Sequence, residues 1–494
     1  MWKINKLNEG ITTVFLKAEN NRLLRELFLE KKINILSPCG GNGKCGKCKV
    51  KLLFGETEPK ADENGFVTAC HTRLISDCGF YIPEQEGETV FFENFGNVQY
   101  AICDIGTTNI KIRKYTSLGE LLSEHVFQNP QSFFGADVIS RISASKNGGY
   151  KALSKILREG IAERIGDVDT VYICGNPTMI HFMAEVDPSP IGVYPFEVVF
   201  KETKVLEKSE TGLNFNMVLL PSASGYVGSD AICGIYSLLK TNYHNKNILI
   251  ADIGTNGEIS LIKNGKIYSA TTAAGPAIEG AEIEMGQCGG DGVIYRIEKN
   301  GNPIFRGETP KGISGAGLIS LIAYLLENGI LSAEGHFVSE NITELKCGFV
   351  SENDTELKGG CVSENKYYLS KEVFVSEKDI SGFMVAKSAV KTAIEILMSE
   401  TETNFSELGL FVLTGGVCKD IENINDVVIS GLIPKALKEK TVFIPDLAIC
   451  GANTAFCSNE INVLEKISSM IKTVSLSENE SFEELFIMNT FFEE

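Results

Sequence analysis

The sequence lacks any apolar run of about 18 residues, which excludes a membrane-spanning helix. It is poor in positive charge: 46 Lys and Arg stand against 64 Asp and Glu, for a net charge of −18 and a pI near 5.0. That balance disfavours nonspecific attraction to nucleic acid or to an acidic membrane. No basic patch or helix-turn-helix pattern points to direct control of DNA. The first residues, MWKINKLNEGITTVFL, have no basic segment followed by an apolar core, so no secretory leader is expected. The 14 Cys are accordingly expected in a reducing cytoplasm, clustered ones as metal ligands and isolated ones as core. A second C-x2-C knuckle is missing, and with it the usual signature of structural zinc. With 494 residues, 43% of them hydrophobic, the chain can bury sizeable cores in roughly two to four domains.

What is present, first, is one pattern written twice. Residues 100–112 read YAICDIGTTNIKI and residues 248–260 read ILIADIGTNGEIS. Each has an apolar β-branched run, then Asp-Ile-Gly-Thr, then a polar residue and a second strand-like run, which predicts a β-hairpin. Two copies so far apart predict two similar subdomains facing each other, not a solenoid. The turn suits an anion. Gly106 and Gly254 let the backbone approach, and exposed N–H groups with Thr hydroxyls donate to phosphate. Asp104 and Asp252 suit Mg²⁺, which takes a carboxylate or two plus phosphate oxygens.

Second is a cysteine cluster. Residues 37–52 read SPCGGNGKCGKCKVKL, placing Cys39, Cys45 and Cys48 at C-x5-C-x2-C, and Cys70 follows in FVTACHTRL. Three Cys in a Gly-rich loop, with a fourth farther on, are a close variant of the plant-type [2Fe–2S] pattern. Gly40, Gly41, Gly43 and Gly46 permit the dihedrals that turn N–H groups toward sulfur. Cys78 falls outside the pattern and reads as structural. His71 reads as a surface neighbour of a ligand, because four Cys are already available.

The remaining signals are more local. Residues 1–35 predict a small hairpin and a helix, with Leu23, Leu24, Leu27 and Phe28 on one face. Residues 84–98 are acidic, without clear periodicity, and read as a linker. Ile173–Asn176 ends an apolar strand at a polar turn, where α/β sheets bind ligands. Thr272–Pro276, around Gly275, is a small-residue turn open to a nucleotide, and Gly312–Leu326 opens with Gly and Ser before an apolar helix. FVSEN at Phe337 and Phe349 recurs as CVSEN at Cys361 and FVSEK at Phe374, so 336–376 reads as a tandem repeat decorating a tolerant loop. Neither Cys347 nor Cys361 is assigned to a metal. Residues 381–398 predict a buried helix, and 410–419 a strand with Gly415 and Gly416 opening another helix. ICGANTAFCS (449–458) reads as a second small-residue turn near the same site, and 462–494 as a helical tail packed back on the last subdomain.

On these residues, 1–83 resemble β-grasp ferredoxin-like domains. The paired Asp-Ile-Gly-Thr turns resemble the phosphate hairpins of the acetate kinase, sugar kinase, Hsp70 and actin superfamily. Further stretches complete the likeness: NPQSFFGADVISRI (129–142), VYICGNPTMIHFM (171–183), LLPSASGYVGSDA (219–231), TTAAGPAIEGAEI (271–283) and GISGAGLISLIAYLL (312–326). Together, over nearly the whole chain, they resemble the reductive activators of corrinoid proteins.

The resemblance implies an α+β and α/β architecture. A [2Fe–2S] β-grasp domain (1–83) and a linker (84–98) precede a duplicated actin-like, ribonuclease H-like ATPase fold, with subdomains 99–240 and 241–494 and the insertion at 336–376. It implies a cluster on Cys39, Cys45, Cys48 and Cys70. It places ATP and Mg²⁺ against Asp104, Gly106, Thr107, Thr108 and Asn109 in the first turn, and Asp252, Gly254, Thr255 and Asn256 in the second, with Gly275, Gly415 and Gly416 around the nucleotide. Asp252 or Glu258 would orient the attacking water, and no phosphorylated residue is needed. The implied activity is ATP-dependent transfer of one electron from the cluster to the Co(II) form of a corrinoid protein, giving Co(I) for methyl transfer. A low-potential donor refills the cluster, and a homodimer is compatible with the family. Two other classes remain: a redox-sensing ATP-binding regulator, and a small-molecule kinase with an attached ferredoxin domain. The activators of 2-hydroxyacyl-CoA dehydratases rank lower, since they share a [4Fe–4S] cluster between subunits. Cys418, Cys450 and Cys457 lack ferredoxin spacing, so one cluster is expected.

Overall fold

The computed structural model describes residues 5–7, 11–18, 22–31, 33, 35, 37, 41, 43, 46–83, 88–92, 96–135, 137–243, 245–275, 277–280, 283–287, 289–338, 360–363 and 365–493. The chain folds as two units, one of residues 1–173, 178–199 and 205–219, the other of 174–177, 200–204 and 220–494.

The first unit begins with a five-stranded antiparallel sheet. Strands β1 (Asn5–Leu7), β2 (Ile11–Leu16), β3 (Lys49–Phe54), β4 (Phe66–Thr68) and β5 (Cys78–Pro83) lie in the order β1-β2-β5-β3-β4. Helix α1 (Leu24–Glu30) buries Leu24, Leu27 and Phe28, spaced three and four apart, with Val14, Val50 and Phe80 of the sheet. Each such side chain contributes roughly 1.5–3 kcal/mol when fully buried. Phe133, far along the chain, completes this core.

A seven-stranded sheet follows: β6 (Glu88–Phe91), β7 (Tyr100–Ile105), β8 (Asn109–Tyr115), β9 (Leu121–Gln128), β10 (Thr170–Gly175), β11 (Lys204–Leu206) and β12 (Asn216–Leu219). Their order is β11-β12-β10-β7-β8-β9-β6. Part of the expected linker is therefore an edge strand, with Val90 opposite Glu124 of β9. Four residues on an edge are too short for a periodic signal. Helix α2 (Val138–Ala144) starts at Asp137, whose carboxylate accepts from the Ser140 N–H at 2.7 Å.

The second unit opens with helix α3 (Ser229–Leu239) and is centred on β13 (Ile248–Ile253), β14 (Gly257–Lys263) and β15 (Lys266–Thr272), an antiparallel meander. Strands β16 (Leu410–Thr414), β17 (Thr441–Phe443) and β18 (Ile471–Thr473) add in parallel, giving β17-β16-β13-β14-β15-β18. Helix α4 (Gly315–Glu327) starts at Ser314, whose hydroxyl accepts from the Gly317 N–H. Helix α5 (Glu377–Glu400) is buried on nearly all sides from Phe383 to Met398. Within it Lys387 donates to the carbonyls of Asn489 (2.6 Å) and Phe491 (2.7 Å), tying down the last helix, α7 (Phe482–Thr490).

Three local readings are corrected. Residues 449–458 lie mostly within a helix, α6 (Leu447–Cys457), not a turn. Its small residues serve contact with α3: a Cβ on Gly451 would stand 1.9 Å from the Cys233 carbonyl oxygen. Gly416 opens only a 3₁₀ turn, Gly416–Asp420. The repeat is split. Residues 339–359 lie outside the described residues, but Cys361–Ser363, Lys366–Tyr368 and Phe374–Ser376 form an antiparallel sheet. Tyr367, Leu369, Val373 and Val375 are at most 1% exposed in the main core of this unit, so this end is structural, not decoration. Cys361 is disulfide-bonded, while the other described cysteines are free thiols. Among the described residues, no helix is long and apolar enough to cross a membrane.

Candidate functional site

Of the four expected cluster ligands, Cys39 and Cys45 lie outside the described residues. Cys48 and Cys70 are buried, and their sulfurs lie 3.2 Å apart. The ladder between β3 and β4 brings them together, with Ala69 N–H bonded to the Cys48 carbonyl at 2.9 Å. Sulfurs on one tetrahedral metal stand about 3.8 Å apart for bonds of about 2.3 Å, so this pair fits two corners after a small opening. Gly41, Gly43 and Gly46 all have left-handed backbones, φ +88°, +73° and +63°. At Gly43 the loop also has no room for a side chain, since a Cβ would stand 1.8 Å from His71 Nε2. His71 is exposed and lies over the loop. Cys78 is buried apart from the pair; burial pushes its thiol up, and it donates to the carbonyls of Glu56 and Ser76. The described part of the loop therefore fits an iron–sulfur group.

In the same unit, β7 and β8 form the first Asp-Ile-Gly-Thr hairpin, with Asp104 opposite Lys111. The turn is tight: a Cβ on Gly106 would stand 2.6 Å from the Asn109 carbonyl oxygen. Its successive carbonyls are held from below. Asn129 Nδ2 donates to Gly106 O (2.8 Å), Arg141 Nη2 to Thr107 O (2.5 Å) and Asn129 N–H to Thr108 O (2.8 Å). Arg141 is wholly buried, which lowers its pKa to about 9, with Asp137 pulling the other way. Neither Asn129 nor Arg141 was picked out from sequence as a site residue. The available signal was a lone Arg inside an apolar helix.

In the second unit, β13 and β14 form the second hairpin, with Asp252 opposite Glu258. Thr255 Oγ1 donates to Glu279 Oε2 at 2.6 Å, and Gly275 N–H to Thr255 O at 2.8 Å. Gly415, at the end of β16, has φ +106°, and a Cβ there would stand 2.3 Å from Ile253 O and 2.9 Å from Asp252 Oδ1. Three turns thus converge, and at their other glycines a Cβ would meet only ordinary contact or open space. A Cβ on Gly254 would meet its nearest atom at 3.6 Å, on Gly416 at 3.8 Å, and on Gly275 nothing within 4 Å. Such a cradle fits a nucleotide and its phosphates.

Carboxylates surround it. Burial raises Glu258 well above the ordinary carboxylate range, reinforced by the charges of Asp230, Asp252 and Glu279. Burial likewise pushes Asp230 up to about 6, opposed by backbone N–H donors that include Ala231 at 2.8 Å. Asp230 sits in the first turn of α3, where Ser229 Oγ joins both backbone groups of Gly175 at 3.1 Å. Asp230 and Glu279 were missed from sequence as site residues; both lie in glycine-bearing stretches, VGSDA and IEGAE. Among the described residues, no three His, Cys, Asp or Glu side chains are grouped to hold a metal by themselves. Mg²⁺ at such a site would keep waters and take phosphate oxygens.

Comparison with known proteins follows the same division. Residues 8–74 match the 2Fe-2S iron–sulfur cluster binding domain, 100–242 the RACo middle region, and 246–494 the C-terminal ASKHA domain of RACo. The "Corrinoid activation enzyme RamQ" of Eubacterium limosum is 30% identical over 421 residues, 79% of this chain and 69% of that protein. A "[Co(II) methylated amine-specific corrinoid protein] reductase" of Methanosarcina barkeri is 26% identical over 206 residues, 33% of this chain and 37% of that one. The solved structure of a reductive activator for corrinoid, iron–sulfur protein has the same fold, with a TM-score of 0.70 at 20% identity over 97% of this chain and 96% of that one. The chain belongs to the RACo family, in which a 2Fe-2S domain is joined to an ASKHA domain.

Proposed function

We propose that this protein reductively activates a corrinoid protein, passing one electron to its inactive Co(II) form to give Co(I), in a step driven by ATP. The observation that carries the reading is the presence, on one chain, of the paired buried thiols Cys48 and Cys70 and a carboxylate-lined glycine cradle at Asp252. The names of the relatives support the choice of acceptor. Cys39, Cys45, Cys48 and Cys70 would hold the [2Fe–2S] group, which supplies one-electron chemistry when bound. Gly254, Gly275 and Gly416 keep side chains away from the nucleotide, Gly415 lets its turn close against Ile253, and the Thr255–Asn256 turn would present donors to the phosphates. Asp252 and Glu279 would hold Mg²⁺ together with phosphate oxygens. Glu258, on β14 opposite Asp252, would accept the proton of the attacking water. Asp104, Gly106, Thr107, Thr108 and Asn109 form the equivalent hairpin of the first unit. A low-potential carrier in the cytoplasm supplies the electrons.

The test is optical. Anaerobically reduced protein is mixed with a Co(II) corrinoid protein from the same organism, Mg-ATP is added, and the Co(I) band is followed. The band is expected to grow only with ATP, and Asp252→Ala to abolish it while leaving the cluster's absorbance intact. No band with an intact cluster, or full activity in Asp252→Ala, overturns the reading.

A further inference from the structure

We propose that Arg25 is a positioning residue that fastens the iron–sulfur loop to the first Asp-Ile-Gly-Thr hairpin, so that the two move as one body. The inference rests on the proposed function only for what the hairpin and loop hold; the fastening itself is read from contacts within the first unit.

Arg25 touches the loop twice. Its backbone N–H donates to Ala69 O at 2.9 Å, immediately before Cys70. Its guanidinium lies against Gly41, between Cys39 and Cys45 in sequence: a Cβ on Gly41 would stand 2.6 Å from Arg25 Cζ. The same group covers the Phe133 ring, with Cζ 4.1 Å from the ring centroid, a cation–π contact onto a buried ring. Phe133 is only 4% exposed and is buried with Leu24, Leu27 and Phe28 beneath the β-grasp sheet.

Phe133 ends the short turn Pro130–Phe133, and that turn is anchored to the hairpin. Asn129 Oδ1 accepts from Gln131 N–H at 2.9 Å, while its own N–H and side-chain amide hold Thr108 O and Gly106 O. Arg141 bonds Gly135 O (3.0 Å) on the far side of Phe133 and Thr107 O on the hairpin. Asn129, Gln131 and Arg141 have no exposed surface. Gly41, Arg25, Phe133, the Asn129–Arg141 network and Gly106–Thr108 therefore form one packed path. Interiors of this density transmit displacement because they cannot absorb it. Arg25 adds a fixed positive charge at the loop, which favours the reduced and more negative state of a bound cluster.

The test uses full-length protein carrying its cluster, with neither nucleotide nor corrinoid present, so its outcome is independent of cobalt reduction. Arg25→Gln is expected to keep iron and sulfide content and to hold the added electron about tenfold less tightly, about 59 mV for one electron. In the same variant, amide hydrogen exchange is expected to quicken both in peptides from Gly41 to Cys48 and in peptides from Asp104 to Asn109. Phe133→Leu leaves the charge in place; it is expected to quicken both segments with a smaller change in potential, and it carries the test if Arg25→Gln loses its cluster. Exchange that quickens in the loop alone, or at neither place, overturns the proposal. So does an unchanged potential in iron-replete Arg25→Gln.

Discussion

The two Asp-Ile-Gly-Thr hairpins start from the same four residues and end in opposite chemistry. In the first, Gly106–Asn109 separate the paired Ile105 and Ile110; in the second, only Gly254–Asn256 separate Ile253 and Gly257. That difference, with the residue types that follow, puts Lys111 opposite Asp104 and Glu258 opposite Asp252. Below the first turn lie a buried cation and amides that hold backbone carbonyls; around the second lie Asp230, Asp252, Glu258 and Glu279. Like charges crowded in a half-buried site favour holding a proton, and an opposite pair favours staying ionised. The lesson is that the shared motif marks a place for phosphate, while its surroundings decide whether a proton can be moved there.

The largest effect expected from this contrast is on hydrolysis. Glu258→Gln keeps the shape of the second hairpin but removes the proton acceptor, so steady-state phosphate release should fall about 10²- to 10⁴-fold with little change in nucleotide affinity. Lys111→Gln in the first hairpin should change the same rate by less than tenfold. A Glu258→Gln enzyme running at the parent rate, or a Lys111→Gln enzyme as crippled as Glu258→Gln is expected to be, would erase the distinction between the hairpins.

Next in size is a backbone effect confined to the second site. Gly415 sits at φ +106° with Ile253 O where its Cβ would go. Gly415→Ala should cost about 1–3 kcal/mol from the dihedral alone, more with the clash, and should lower the melting temperature of the nucleotide-free protein. Gly275→Ala shares the left-handed backbone, φ +81°, but meets nothing. It should cost less stability and instead weaken nucleotide binding, as the methyl enters the cradle. Equal melting temperatures for the two variants would mean that Gly415 is not confined as described.

Much of this was legible before the structure, and the rest was hidden for definable reasons. Both hairpins, α1, the buried α5 and the cysteine spacing follow from period and turn chemistry, which are local. Asp230 and Glu279 were not legible, because only the convergence of α3, β13 and the turn after β15 makes them neighbours of Asp252. Arg141 was hidden because its partners are backbone carbonyls, which every residue possesses. Residues 449–458 looked like a turn because Gly, Ala and Asn suit both turns and close helix contact; Gly451 against α3 decides for the helix. The repeated FVSEN copies suggested one tolerant insertion, yet Tyr367, Val373 and Val375 alternate inward to the core. Repetition alone does not reveal which copy has been absorbed into the fold.

The smallest expected effect tests the carboxylate crowd through pH. Asp230 is raised from 3.8 to about 6, so between those values the folded protein holds a proton that the unfolded chain has lost. Stability therefore falls as pH rises from about 4 to about 6, and the loss persists above. Asp230→Asn removes this penalty. The variant should match the parent near pH 4 and be more stable at pH 7–8, by on the order of 1 kcal/mol, because the half-buried position is partly screened by solvent. Glu258 is raised in the same sense, so some slope should remain in the variant. The first hairpin supplies the contrast. Asp104 faces Lys111, and Asp104→Asn should cost stability at neutral pH, by roughly 0.2–1 kcal/mol for an opposite-charge pair across strands. Thermal melts of both variants across pH 4–8 check the signs. If Asp230→Asn gained as much at pH 4 as at pH 8, its effect would be one of packing, and the electrostatic difference between the two hairpins would lose its support at this residue.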